Sequence, residues 1–254
     1  MKITRDTSLL RSRKLCKRGP IWRALRPLLG NGPITADADH ARLREQLGNA
    51  LHKITGWREA VYSYPLPETG ARFDLGPLVE GWIEHIMLTV LFEAPTARRI
   101  SHLIRRCVQL APLRILGIPA DRWHLRALNR ALDELPTPSW MPECTPTEKR
   151  DWLATMAVAA EDTTRQRVLG SLVGQDVLPI WFVPRQTATG ENVIILLDKA
   201  TMFGAGARKC IGEQIARQVE ALCLDRLQVR VIRGDFRRTG LLTRGIRSAF
   251  VERV

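Results

Sequence analysis

The sequence predicts a mainly α-helical fold with a small β portion, and three observations lead to this prediction. Apolar residues recur at helical spacing, as in Leu43, Leu47 and Leu51, which repeat every four positions. Apolar runs of strand length are few and short. The chain has 254 residues, of which 45% are hydrophobic, so it can bury a sizeable core and is not a disordered chain.

The predicted helices of the first half follow one another with clear breaks. They span residues 39–54, 75–92, 96–110 and 121–135. The second follows Asp74, a residue type that caps helix N-termini, and is apolar along its length. The third and fourth are basic and amphipathic, and they are separated by a segment that contains Pro112 and Pro119.

One helix is predicted to be unusually long. Thr145 and Glu148 form a capping-box pattern with Pro146 at the first helical position. From there to Val173 only Gly170 breaks the helical pattern. About 28 residues at 1.5 Å per residue give roughly 40 Å, so the helix would cross an entire domain.

The last part of the chain carries the strand signals. We predict strands at 181–183, 192–197, 229–232 and 248–251, and a helix over 212–227. The first 26 residues hold nine Lys or Arg and one acid, Asp6, without an apolar signal segment. We therefore expect a basic N-terminal arm over 1–26 and a single domain over 27–254.

Charge and cysteine content restrict the class of protein. The net charge of +13 fits a polyanion, an acidic protein partner or an anionic cofactor equally well, and codon composition alone could produce it. Five cysteines without a C-x-x-C pair favour neither a disulfide framework nor a zinc finger, and they fit a reducing, cytoplasmic setting. No run of eighteen apolar residues predicts a membrane span.

The loop 203–212 contains the most informative candidate ligand-binding and metal-ligating residues. It contains three glycines, Gly204, Gly206 and Gly212. These would let the backbone approach a flat, bulky ligand closely. Cys210 precedes a predicted helix, whose free N–H groups stabilise a thiolate, and Arg208 offers a cation to an acidic group of the ligand. Such a thiolate is a metal ligand or a nucleophile, and the alternative is a buried cysteine beside a glycine turn.

The pattern F-x-x-G-x-R-x-C-x-G in this loop resembles the haem-thiolate loop of the cytochrome P450 superfamily. The resemblance implies that Cys210 is the axial ligand of the iron in haem b. It also implies that Phe203 packs near the sulfur and that Arg208 pairs with a haem propionate. The run after the cysteine, which ends at Arg217, resembles the family's L-A-R.

A second match lies on the long helix, where residues 159–164 resemble the family's A-(G/A)-x-(D/E)-T-T. The resemblance implies that Asp162 and Thr163 deliver protons and that Ala159 and Ala160 line the pocket. Consecutive threonines inside a helix compete for backbone carbonyls and can open a groove for water. Taken alone, the motif also fits a solvated helix face or a cap.

Further matches concern the propionates. His40 and Arg44 resemble the family's H-x-x-x-R, and they lie one helical turn apart on one face. Arg185 resembles a strand arginine that meets a propionate as well. Two solvated side chains are the alternative for the first pair. The chain contains no E-x-x-R, the helix motif that normally braces the haem-side core in the family, and members of the family are much longer. The resemblance is therefore to an unusually short member that lacks this motif.

The resemblance implies a truncated cytochrome P450-like fold and an oxidoreductase that acts on a small molecule. Oxygen-dependent monooxygenation in bacterial specialised metabolism is the leading expectation, with an acidic ferredoxin-type electron donor and pairing of two copies as a further option. The alternatives are a peroxide-driven or redox-neutral haem enzyme and a non-catalytic relative that binds haem or a partner. No nucleic-acid motif is present.

Overall fold

The computed structural model describes residues 2–11, 16–17, 19–30, 40–95, 97–175, 177, 182–205, 209–235, 246 and 248–254. Helices make up 56% of the structure, and the sheets are small. The predicted fold class, mainly α with a small β portion, is confirmed.

The helices of the described chain are numbered in order. They are α1 (Pro20–Leu29), α2 (His40–Leu51), α3 (Trp57–Ser63), α4 (Leu75–Ile86), α5 (Arg98–Leu110), α6 (Arg122–Glu134), α7 (Pro146–Leu172) and α8 (Glu213–Arg226). Six of them lie where the sequence predicted helices. The predicted helix 75–92 is α4 followed by a π-helical turn, Met87–Leu91. The seven-residue α3 was missed because it is too short for a periodic pattern.

The strands form two small sheets. They are β1 (Lys2–Thr4), β2 (Arg72–Asp74), β3 (Phe182–Gln186), β4 (Asn192–Leu196), β5 (Val229–Asp235) and β6 (Ser248–Arg253). One sheet has the order β1-β4-β3, with β1 parallel and β3 antiparallel to β4; the other has the antiparallel order β2-β6-β5. The four predicted strands are confirmed. The three-residue β1 and β2 gave no sequence signal.

The N-terminal segment differs from the basic arm that the sequence predicted. Ile3 of β1 lies beside Ile194 in the first sheet. Helix α1 buries Leu25 and Leu28, and the Trp22 indole donates a 2.9 Å hydrogen bond to the Pro184 carbonyl. The segment also contains apolar residues that the count of basic residues did not reveal. Through these residues much of its described part packs against the rest of the protein.

Helix α7 has 27 residues and crosses the core, as the sequence predicted. It contacts α1, α4, α5, α6 and α8. Its buried side chains include Trp152, Leu153 and Leu169. Because five helices pack on it, α7 fixes the position of any group on its surface. None of the helices in the described chain has the length and apolarity needed to cross a bilayer.

The start of α7 has the capping box that its sequence predicted. Thr145 Oγ1 accepts a 3.2 Å hydrogen bond from the Glu148 amide, and Glu148 Oε2 accepts one of 2.9 Å from the Thr145 amide. We expect Thr145→Ala to lower the free energy of unfolding by about 1 kcal/mol, because one helix N–H loses its acceptor. Thermal unfolding should show a Tm roughly 2–4 °C lower. Thr147→Ala, at an exposed position of the same turn, is the control.

The capping box also predicts an acid dependence. The hydrogen bond from the Thr145 amide, followed by the one from its hydroxyl, lowers the pKa of Glu148. A lowered carboxyl pKa stabilises the fold above the unfolded pKa, and this stability is lost as the pH falls through the folded value. Glu148→Gln should therefore flatten the dependence of stability on pH below about 4.5. An unchanged acid profile in this variant would contradict the assignment.

Candidate functional site

Cys210 lies where the chain passes from β4 into α8. The chain turns at Thr201, whose carbonyl accepts a 2.7 Å hydrogen bond from Gly204, and Gly204 has the left-handed φ of +74° that favours glycine. The Cys210 amide then donates a 2.7 Å hydrogen bond to the Phe203 carbonyl. Gly212 is the N-cap of α8. The loop therefore closes on itself and holds Cys210 just before the first turn of the helix.

The surroundings of the Cys210 sulfur suit a metal ligand. Crowding by protein atoms raises the pKa of the thiol, while the N–H groups of Gly212 and Glu213 and the charge of Arg44 pull this pKa down. Cys210 is exposed, and a Cβ added at Gly212 would lie 3.9 Å from its Sγ, so the glycine leaves space beside the sulfur. A bound metal ion would displace the proton, and the helix N–H groups would stabilise the resulting thiolate.

Two of the predicted cations can be located. Arg44 of α2 donates a hydrogen bond to the carbonyl of Lys209, so this helix is in contact with the loop beside the cysteine. Arg185 of β3 is 6% exposed and donates a 2.9 Å hydrogen bond to the Pro184 carbonyl. The structure thus brings Arg44 to Cys210 and places Arg185 in the sheet that leads into the loop. The other groups predicted here, the His40 side chain and all of Gly206 and Arg208, lie outside the described residues.

Thr163 of the predicted proton-delivery motif shares a face of α7 with Arg167, which contacts the loop. The Thr163 hydroxyl donates a hydrogen bond to the Ala159 carbonyl, one turn earlier. One turn later, the Arg167 guanidinium lies over the Phe203 ring, 5.0 Å from its centre. Ala160 packs against the core. The backbone of Asp162 belongs to α7, and its side chain lies outside the described residues.

Sequence reasoning missed Arg167 and Glu220, and it predicted no contact between Arg217 and Phe203. Arg217 of α8 also lies over the Phe203 ring, 5.0 Å from its centre, in addition to Arg167. Arg167 forms an ion pair with Glu220 of α8. Arg167 lies four residues after Thr163, the spacing that places two side chains on one helix face, and this was the available signal.

The donor set fits haem. The described residues contain no group of three or more His, Cys, Asp or Glu side chains that could hold a metal ion together. A single cysteine thiolate suits haem, in which a porphyrin supplies the other ligands of the iron. Haem carries acidic propionates, and the two described cations, Arg44 and the buried Arg185, suit such groups.

Solved structures reveal the fold. The chain is similar to a six-coordinated cytochrome P450 from Thermus thermophilus (15% identity, TM-score 0.77, 98% of this chain and 91% of that one covered). It is also similar to a cytochrome P450 from another strain of the same bacterium (15%, TM-score 0.79, 98% and 88%). A third is a P450 in complex with an acyl carrier protein ligated to hexadec-9Z-enoic acid (12%, TM-score 0.73, 98% and 90%).

These similarities concern the fold. No protein-family model and no curated protein matches the chain. The cytochrome P450 fold that the sequence motifs predicted is nevertheless confirmed over almost the whole chain. The roles of the individual site residues remain predictions.

Proposed function

Given the cytochrome P450 fold, we propose that the chain is a haem-thiolate oxidoreductase in which Cys210 ligates the iron of haem b. The observation that supports this proposal most directly is the closed loop before α8. It presents one accessible sulfur beside the N–H groups of Gly212 and Glu213. Thiolate-bound haem supplies the redox chemistry for the activation of dioxygen or peroxide.

Each remaining site residue has a proposed task in holding the cofactor. Arg44, Arg185, His40 and Arg208 neutralise the propionates. Phe203, Gly204, Gly206 and Gly212 form the loop surface that faces the ring. Ala159 and Ala160 leave room on the opposite side because their side chains are small. The Arg44 contact with the Lys209 carbonyl supports the first of these tasks.

Thr163 and Asp162 are proposed to manage protons. Since the Thr163 hydroxyl donates to the Ala159 carbonyl, its oxygen can still accept a hydrogen bond from a water molecule or a bound ligand. An acid at the preceding position would resupply the proton from solvent. The pair would thus hold a proton donor at Thr163 Oγ1.

The substrate is proposed to be a small molecule, oxidised by oxygen-dependent monooxygenation in bacterial specialised metabolism. The net charge of +13 supports an acidic ferredoxin-type electron donor. One of the similar structures also contains a protein partner, an acyl carrier protein. Product formation that needs both dioxygen and this reductant would support the proposal.

The second candidate is peroxide-driven or redox-neutral chemistry on the same cofactor. The absence of E-x-x-R from the sequence favours it, because the core beside the cysteine then lacks its usual brace for docking a reductant. Turnover with peroxide alone, or with no oxidant, would decide for this candidate. Haem binding without turnover of any substrate would instead indicate a non-catalytic relative.

The absorption spectrum of the reduced protein under carbon monoxide tests the proposed ligand. The wild type and Cys144→Ala, which removes a half-buried thiol elsewhere, should show a strongly red-shifted thiolate-type band. Cys210→Ala should lack that band completely, because the loop contains no other cysteine that could supply a thiolate. A thiolate-type band that persists in Cys210→Ala would overturn the proposal.

A further inference from the structure

A network of charged and polar side chains joins the second half of α7 to the loop before Cys210. Its centre is the ion pair between Arg167 and Glu220, whose side chains are 11% and 14% exposed. Ser171 of α7 donates a 2.5 Å hydrogen bond to the other oxygen of Glu220. Arg167 also contacts the Met202 sulfur at 2.9 Å and lies over the Phe203 ring. One arginine therefore contacts α8, the first residue of the loop and the methionine that precedes it.

The network continues to the residue beside the cysteine. Arg217, the second cation over the Phe203 ring, pairs with Glu213 at 2.9 Å. Glu213 pairs in turn with Lys209 at 2.7 Å. Lys209 precedes Cys210 directly. Both ends of the described loop are thus tied to charged groups on α7 and α8.

We propose that Arg167 and Glu220 are a positioning pair that braces the Cys210 loop, in place of the E-x-x-R brace that this chain lacks. The pair acts through Phe203. Its ring is held by cations and its carbonyl accepts the Cys210 amide, so fixing Phe203 also fixes the backbone of the cysteine. The mostly buried pair favours one geometry, because separating its charges in a poorly hydrated region is unfavourable. This inference rests on the proposed function only where haem is concerned.

The first test uses the protein without haem. Because the Cys210 amide donates its hydrogen bond to the Phe203 carbonyl, hydrogen exchange of this amide, followed by peptide mass spectrometry, reports how often the loop opens. We expect Arg167→Gln and Glu220→Gln to raise the rate about tenfold. Arg165→Gln is the matched control, because Arg165 lies on the same helix and pairs with Glu80 at 3.0 Å, away from the loop. Equal Cys210 rates in Arg167→Gln, Glu220→Gln and Arg165→Gln would overturn the brace.

The second test reads the iron ligand by spectroscopy. In the haem-loaded, reduced and carbon monoxide-bound protein, the thiolate-type fraction should fall in Arg167→Gln and stay at the wild-type level in Arg165→Gln. Arg167→Lys, which keeps the cation, should recover part of it. The double variant with Glu220→Gln should be no worse than either single variant, because both remove one interaction. An unchanged thiolate fraction in both single variants would contradict the brace.

The two proposals fail in different ways. A wild type without any thiolate-type band would overturn the haem-thiolate function. The comparison of hydrogen-exchange rates at the Cys210 amide would then still decide whether Arg167 and Glu220 hold the loop. A wild type with the band, combined with hydrogen-exchange rates in the variants equal to those of the control, would keep the function and overturn the brace alone.

Discussion

Replacing Thr163 with alanine is expected to lower coupled turnover about a hundredfold while haem stays bound, because a well-placed proton donor contributes roughly that much or more. The hydroxyl that the variant loses donates to the Ala159 carbonyl, and its oxygen can still accept a hydrogen bond. Without it, no side-chain oxygen at this position holds a proton donor. Asp162→Asn should act in the same direction, because an amide does not resupply a proton.

The measurement is product formed per dioxygen consumed, with a small molecule chosen by its shift of the haem absorption band. Thr163→Ser keeps a hydroxyl and should retain most of the wild-type ratio. Thr147→Ala is the control, because this threonine lies at an exposed position in the first turn of the same helix, outside the motif. An unchanged ratio in Thr163→Ala and Asp162→Asn would contradict the proton-delivery role, and a wild type that binds haem but forms no product would favour a haem carrier without catalysis.

Long periodic segments made most of the fold predictable. The capping box placed the start of α7 at Pro146, and the apolar pattern carried it to Leu172. Segments that depend on tertiary contacts were not predictable. The strand β1 has three residues and forms only because β4 lies beside it. Helix α1 was not predicted, because the nine basic residues of the segment 1–26 dominated its composition.

The residues of the candidate site also fall into those that the sequence predicted and those that only the tertiary structure shows. Cys210 and Thr163 were found because each belongs to a local motif whose residues are adjacent in the sequence. Arg167 and Glu220 are 53 positions apart. Nothing in the chain marks them as partners until α7 and α8 pack together. A compensating interaction for an absent motif is therefore visible only in three dimensions.

The second large effect concerns a buried ion pair between the segment after α5 and the start of α6. Asp121 is 1% exposed, and its Oδ1 accepts a 2.6 Å hydrogen bond from Arg114 Nε. Among the described residues its second oxygen has no hydrogen-bond partner. Arg114→Ala should lower the free energy of unfolding by about 3–5 kcal/mol, because it leaves a buried carboxylate uncompensated. Urea unfolding should show a lower midpoint with an unchanged slope.

A double-mutant cycle separates the pair from its surroundings. Asp121→Ala should cost less than Arg114→Ala, because the guanidinium it leaves behind is 17% exposed and can reach water. The double variant should recover stability relative to Arg114→Ala, since no buried charge remains. The exposed pair Arg150–Asp133 is the control, and its removal should cost at most about 1 kcal/mol. Strictly additive losses at 114 and 121 would show that the two charges do not stabilise each other.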